Sequence, residues 1–109
     1  MIRMDKMTVM TQEALQKAQE LAVEHEHQQV DVEHLLIAML TQERNVILPI
    51  VKKLGVNVEY LGRELSEKIA KTPKVSGISS DQMYMSQRLN KLLETAQKEA
   101  ERLQDDYVS

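Results

Sequence analysis

The sequence contains no cysteine, phenylalanine or tryptophan, and only three glycines and two prolines among its 109 residues. Without cysteine the chain has no disulfide, no thiol nucleophile and no thiolate zinc site. Because phenylalanine and tryptophan are absent, the aliphatic residues and seven methionines must fill the core. Glycines stand only at positions 55, 62 and 77, and the GxxxxGK[ST] phosphate loop is absent. We therefore expect this chain to have no nucleotide cofactor of its own.

The sequence also lacks a large excess of charge of one sign. It has 14 basic and 17 acidic residues, which give a net charge of −3. Basic residues are frequent between positions 52 and 74, but glutamates interleave with them, so we expect no nucleic-acid partner. The longest apolar stretch, residues 46–51, is interrupted by Pro49 and is far too short to span a bilayer. No segment resembles a signal peptide. We expect no membrane partner and a cytoplasmic location.

Apolar residues recur at intervals of three and four along five segments, which predicts five helices and no convincing strand. A side chain suited to an N-cap precedes each segment: Thr8, Asp31, Asn45, Asn57 and Ser86. The predicted inward residues of the first and second helices are Met7, Met10, Ala14, Leu15, Ala18, Leu21, Ala22, Val32, Leu35, Leu36, Met39 and Leu40. Those of the later helices are Ile47, Ile50, Val51, Leu54, Val58, Leu61, Leu65, Ile69, Leu89, Leu92, Leu93, Ala96, Ala100 and Leu103.

The first and last helical segments are similar to each other. Residues 7–31 align with residues 85–109 at a shift of 78 positions, with six identities in 25 positions. The shift also places Thr8 on Ser86, two capping residues. Repeated helical units that cannot bury their own apolar faces stack on one another. We predict a first repeat at about 1–71, a linker at 72–84 and a truncated second repeat at 85–109.

Candidate catalytic and metal-binding residues are few. His25 and His27 are two positions apart, so they do not share a helical face, and we interpret them as solvated polar residues. We interpret His34, near the start of the second helix, as a packed or capping residue. Asp105 and Asp106 suit a helix-exit turn. The residues indicate a helical binding module without catalytic or metal-binding residues, rather than a small enzyme or metal protein.

Three stretches resemble a known family. Residues 3–8 (RMDKMT), 12–15 (QEAL) and 18–22 (AQELA) resemble the start of the amino-terminal domain of Clp ATPases. Residues 30–36 (VDVEHLL) match its capped second helix. Residues 73–77 (PKVSG) and 105–109 (DDYVS) are closer to the ClpB disaggregase branch than to the ClpA and ClpC branches.

The resemblance implies an all-α fold, a pseudo-twofold bundle of repeated four-helix units whose second unit is truncated here. It implies a substrate-binding and regulatory domain that captures exposed apolar segments of unfolded or aggregated polypeptides. The other implied partner is the remainder of a hexameric Clp ATPase, and ATP and magnesium would bind only in those ATPase modules. The alternative is an adaptor-docking domain, as in the ClpA and ClpC branches. Either way, we expect this chain not to be an enzyme.

The resemblance also supplies candidate substrate-binding residues. Thr8 matches a threonine linked to substrate handling, and Asp105 matches an acidic residue near the same surface. From the helical stripe we add the apolar contacts Met85, Leu89, Leu92 and Ala96, although most of these positions could instead be core. Groove leucines of the family fall on Thr95 and Glu99 in this sequence, which makes that groove more polar or displaced.

The repeat makes a further prediction about what covers the last helix. A helix equivalent to residues 32–43 should follow Ser109 and pack on Leu89, Leu93 and Leu103. Without that helix, we expect these three side chains to face water or another chain.

Overall fold

The computed structural model describes residues 8–43, 47–77 and 79–108, and for residues 80 and 104–108 it describes the backbone alone. Within these ranges the chain forms five α-helices, which confirms the all-α prediction. They are α1 (Val9–Glu24), α2 (Val32–Leu40), α3 (Ile47–Lys53), α4 (Val58–Lys71) and α5 (Gln87–Val108). Two short strands, β1 (Gln29–Val30) and β2 (Tyr84–Met85), and a 3-10 turn (Ser80–Gln82) complete the order.

Helix α1 begins at its predicted cap. The Thr8 side chain accepts a hydrogen bond from the Thr11 amide at 3.1 Å, which satisfies one of the free N–H groups of the first turn. The predicted stripe is confirmed at its centre, where the buried residues are Ala14, Leu15, Ala18 and Ala22. Met7, also predicted for this stripe, lies outside the described residues. The chain leaves α1 through Glu26, whose φ of 58° turns it back toward the core.

Helix α2 packs closely against α1. Ala18 and Ala22 of α1 and Ala38 of α2 are completely buried, and side chains this small let two helix backbones approach each other. Asp31 caps α2 as predicted, and its backbone N–H donates to Nδ1 of His34 at 2.9 Å, which completes a capping box. The α1–α2 pair therefore forms the centre of the core, to which Leu35 also belongs.

Helices α3 and α4 form a hairpin beside α2. The turn between them uses Gly55, whose φ of 81° is the left-handed stop predicted for it. Asn57 caps α4, as predicted, by accepting from the Tyr60 amide at 3.0 Å. The predicted inward face of α3 is wrong at two positions, because Ile50 is 53% exposed and Leu54 is 74% exposed. Helix α3 has only seven residues, and of its predicted face Val51 alone is buried. Asn45 lies outside the described residues.

The prediction of no strand is wrong. Strands β1 and β2 pair in parallel, with Gln29 opposite Tyr84 and Val30 opposite Met85. The segment predicted as linker is held at a second point, where the Val75 amide donates to the Glu26 carbonyl at 2.8 Å. Pairings between residues this far apart in the chain cannot be read from local periodicity, because each strand has only two residues.

Helix α5 is packed along its first turns only. Leu89 and Leu93 are buried in the core made by α1, α2 and β1, so the expectation that they face water is wrong. The remaining residues of the predicted stripe are exposed: Leu92, Ala96, Ala100 and Leu103. The predicted helix exit at Asp105 is also wrong, since α5 continues to Val108. Four of the five helices fall within residues 9–71, but the pseudo-twofold arrangement stays a prediction.

Candidate functional site

The structure places the six predicted substrate-binding residues in different environments. Thr8 is exposed at the start of α1, and Met85 is half-buried in β2. Leu89 is completely buried, so it supports the core and cannot contact a client directly in this conformation. Two are exposed on α5: Leu92 and Ala96. Asp105 also lies in α5, but its side chain is outside the described part of the structure.

A groove of about 420 Å³ lies between α1 and β2, and we call it the α1–β2 groove. It is lined by Gln12, Leu15, Gln16, Gln19, Val30, Met83, Tyr84 and Met85. None of these residues carries a charge, so the groove offers apolar surface and neutral hydrogen-bonding groups. Its volume is in the range of small-molecule sites.

Of the predicted site residues, one lines the α1–β2 groove and a second lies close to it. Met85 lines it directly. Thr8 lies one helical turn away, because the amide of the groove residue Gln12 donates to the Thr8 carbonyl at 3.0 Å. The polar wall from α1 and the contribution of Met83 were missed in the sequence. Three glutamines at positions 12, 16 and 19 of one helix face are the signal that could have revealed them.

The groove's β2 wall is fixed by a polar cluster at the start of α5. Ser86 accepts from the Leu89 amide at 3.0 Å and donates to the Asp31 carboxylate at 2.7 Å, so one hydroxyl joins the caps of α5 and α2. Arg88 adds a second link, with its guanidinium 2.8 Å from both Glu33 carboxylate oxygens and 3.0 Å from Asp31. These contacts join the starts of α2 and α5.

The electrostatics of this cluster favour the charged forms. Burial by itself raises the pKa of Asp31, but hydrogen bonds from Ser86, Arg88 and the Val32 amide outweigh it and leave the pKa below its usual value. The pKa of Glu33 is lowered in the same way, against burial, chiefly by Arg88. The two carboxylates raise the pKa of Arg88 in turn. All three groups stay ionised at neutral pH, which suits a structural clamp rather than an acid–base pair.

A second polar group consists of three histidines beside the end of α4. His27 is only 1% exposed, so the prediction that it is solvated is wrong. The turn through Glu26 directs His27 inward, where its ring lies 5.2 Å from that of His34 and 5.7 Å from that of His25. The prediction that His34 is a packed, capping residue is confirmed.

The tautomers of the buried histidine pair follow from their hydrogen bonds. His34 accepts the Asp31 amide at Nδ1, so the proton of the neutral ring is on Nε2. That proton is donated to Nδ1 of His27, 2.9 Å away. His27 then carries its own proton on Nε2, which is buried and has no hydrogen-bond partner among the described residues.

Both histidines of this pair are held in the neutral form. Burial is the main reason that the pKa of His27 is low, and the charges of His25 and Lys74 lower it further. Burial and the neighbouring His27 likewise lower the pKa of His34. In the part of the chain that the structure describes, no group of three or more His, Asp or Glu side chains could hold a metal ion. None of the described helices is long and apolar enough to cross a membrane.

The structure is a small helical domain with an uncharged groove between α1 and β2, and comparison with known proteins assigns its family. Residues 6–109 match the Clp repeat (R) N-terminal domain. The chain therefore belongs to the Clp N-terminal domain family, as the sequence predicted.

Three relatives that the chain resembles are each named chaperone protein ClpB. The Bacillus cereus protein is 43% identical over 108 residues, 97% of this chain and 12% of the relative. The Nitratidesulfovibrio vulgaris protein is 39% identical over 106 residues, 95% of this chain and 12% of the relative. The Vibrio cholerae protein is 37% identical over 108 residues, 99% of this chain and 12% of the relative. The chain thus spans about an eighth of the length of these relatives, and it matches the N-terminal domain of ClpB chaperones rather than the ClpA and ClpC alternative.

Proposed function

We propose that this domain captures exposed apolar segments of unfolded or aggregated polypeptides for an ATP-dependent disaggregase. The observation that carries the proposal is the uncharged α1–β2 groove beside Thr8, with methionines on its β2 wall. Methionine side chains adapt to differently shaped apolar groups, which suits a surface that meets many sequences. The exposed residues Leu92 and Ala96 of α5 offer further apolar contact.

The proposed mechanism is weak, reversible burial. An unfolded client loses conformational entropy when one of its segments is fixed, so a single domain of this size would bind it with low affinity. Several copies on one hexameric ring would raise the effective concentration of binding sites and compensate. In this proposal the remainder of the Clp ATPase binds ATP and magnesium, drives translocation and shares the cytoplasmic location of its clients.

The proposal can be tested by titrating the domain with a permanently unfolded, apolar polypeptide while recording amide chemical shifts. We expect shifts at Thr8, Gln12, Met85 and Leu92. Docking of a folded adaptor, the alternative function, would instead leave the domain unresponsive to denatured clients. An absence of shifts at these four residues would overturn the proposed site.

A pair of matched variants tests the α5 part of this surface. Leu92 is 44% exposed and Leu54 is 74% exposed, so replacing either by serine leaves the core intact. We expect Leu92→Ser to weaken client binding several-fold and Leu54→Ser, on the α3 side of the molecule, to leave it unchanged. Equal losses in the two variants would indicate nonspecific apolar contact and contradict the proposed surface.

A further inference from the structure

Strand β2 has one paired edge and one free edge. Toward β1, the Tyr84 amide donates to the Gln28 carbonyl at 3.2 Å, and the Ser86 amide donates to the Val30 carbonyl at 3.0 Å. Main-chain groups of successive strand residues point to opposite edges, so the N–H and C=O of Met85 point away from β1. The sheet has two strands, and neither group has a hydrogen-bond partner in the described part of the chain.

The free edge belongs to a residue that lines the α1–β2 groove. Met85 shares a sheet face with Val30, its partner across the ladder, and both pack with Met83 and Leu15 around the core. The groove therefore has an apolar floor beside two unpaired main-chain groups. Gln16 and Gln19 line it from α1, and each side-chain amide can both donate and accept.

We propose that a captured segment enters the α1–β2 groove in extended form and adds to the free edge of β2 as a third strand. The inference rests on the proposed function and specifies how its site recognises a client. Hydrogen bonds to the main chain of Met85 do not depend on the sequence of the client. The apolar floor of the groove favours clients with apolar side chains at every second position, because alternate side chains of a strand point to the same face. The occupant is therefore an extended, uncharged polypeptide segment with apolar residues at every second position.

The short length of β2 accounts for selective but weak capture. A free edge is a template on which other chains can pair, and proteins restrict that hazard by keeping edge strands very short. Strand β2 has two residues, so a client gains few main-chain hydrogen bonds there and must add side-chain contacts with the floor. A folded protein, most of whose strands are paired and whose edges are restricted, offers few such segments.

Amide hydrogen exchange tests the inference directly. The probe is a capped, uncharged peptide of alternating leucine and serine, added in excess to the domain. We expect exchange of the Met85 amide to slow at least about tenfold, while the Tyr84 and Ser86 amides, already bonded to β1, change little. Side-chain packing alone would not produce this alternation. Equal protection of all three amides, or none at Met85 when the peptide is bound, would overturn the inference.

Two variants of Met85 provide a matched comparison. Met85→Pro removes the N–H of the free edge and leaves the hydrogen bonds of Tyr84 and Ser86 to β1 in place, since proline is tolerated where a strand N–H faces away from its neighbour. Met85→Ala removes the same side chain from the groove floor and keeps that N–H. We expect Met85→Pro to weaken peptide binding about tenfold more than Met85→Ala does, equivalent to about 1.4 kcal/mol, and equal binding by the two variants would contradict the inference.

The outcomes separate this inference from the proposed function. Peptide binding with shifts at Thr8 and Leu92 but no selective protection at Met85 would overturn strand addition and leave capture standing. No peptide binding at all would overturn both. If Met85→Pro does not fold, a peptide N-methylated at alternate residues supplies the same test on the native domain, and its unchanged binding would contradict the inference.

Discussion

Leu89 and Leu92 are close neighbours on α5 with the same side chain, yet Leu89 is completely buried and Leu92 is 44% exposed. We expect Leu89→Ala to lower the free energy of unfolding by about 2–5 kcal/mol, because it leaves a cavity among core side chains. Leu92→Ala, the matched control, should change it by less than about 1 kcal/mol. Urea unfolding of the two variants measures both values, and equal losses would contradict the assignment of Leu89 to the core.

The buried histidine pair predicts how stability depends on pH. The pKa values of His27 and His34 are lowered in the fold, so the unfolded chain binds protons more readily than the folded chain. The fold therefore has its full stability above pH ~6.5, the pKa of histidine in the unfolded chain. It loses stability as the pH falls below that value toward the lowered pKa values of the folded chain. We expect unfolding free energy to fall between pH 7 and 5, by at most ~1.4 kcal/mol per pH unit for each histidine.

His34→Gln isolates that effect from the cap. Glutamine at this position of a capping box still accepts the Asp31 amide, but it does not titrate. In urea unfolding experiments, the free energy of unfolding of the variant should therefore fall less between pH 7 and 5 than that of the native chain. The carboxylates Asp31 and Glu33 have lowered pKa values and lose their stabilisation only at more acid pH, below about 4. An unchanged slope would rule out His34 as a source of the dependence.

At the scale of the elements, Ser86 caps the start of α5 by accepting a hydrogen bond from an amide of its first turn. The Ser86 hydroxyl is buried and makes two hydrogen bonds, to the Leu89 amide and to Asp31. We expect Ser86→Ala to cost about 1–3 kcal/mol of unfolding free energy, since it removes a cap and one partner of a half-buried carboxylate. Thr8→Ala removes an exposed cap and should cost about 1 kcal/mol. Thermal unfolding compares them, and a larger loss for Thr8 would contradict the linking role of Ser86.

The elements also show why sequence reasoning succeeded in some places and not in others. The caps at Thr8, Asp31, Asn57 and Ser86 were predicted correctly, because capping depends on residues within one turn. The pairing of β1 with β2 joins distant residues through two positions each, and no local pattern encodes it. His27 and Leu54 were assigned to the wrong environments for the same reason, since tertiary contacts decide their burial.

The same distinction applies to the candidate site. The resemblance suggested Thr8, and a helical stripe suggested Met85, although Met85 lies in β2 and not in the helix. The groove near both residues forms where β2 pairs with β1 beside α1, and the Ser86 and Arg88 contacts join the start of α5 to α2 next to it. Met83 lies outside every apolar stripe, and the face that the groove glutamines of α1 share is polar, so a search for apolar faces passed over these residues until the fold placed them around one groove.

At the scale of the whole molecule, the chain is more extended than a typical domain of its size. Its radius of gyration is 15.0 Å and its principal extents are 51 × 33 × 23 Å. A compact domain of this length has a radius of gyration of about 13 Å. Helix α5 contributes to the difference, because 22 residues of helix span about 33 Å and only its first turns enter the core.

This asymmetry predicts unequal local stability along α5. Leu89 and Leu93 are enclosed, whereas the described side chains from Glu94 to Leu103 are exposed or, at Gln97, half-buried. A helical segment without tertiary packing is marginal in water, so its amides open without global unfolding. We expect amides near Leu93 to exchange at least about tenfold more slowly than those between Lys98 and Leu103, measured by native-state hydrogen exchange. Uniform protection of the amides along α5 would contradict this prediction and would mean that another surface covers the second half of the helix. Light scattering over a range of concentrations would then show whether a second copy of the chain supplies that surface.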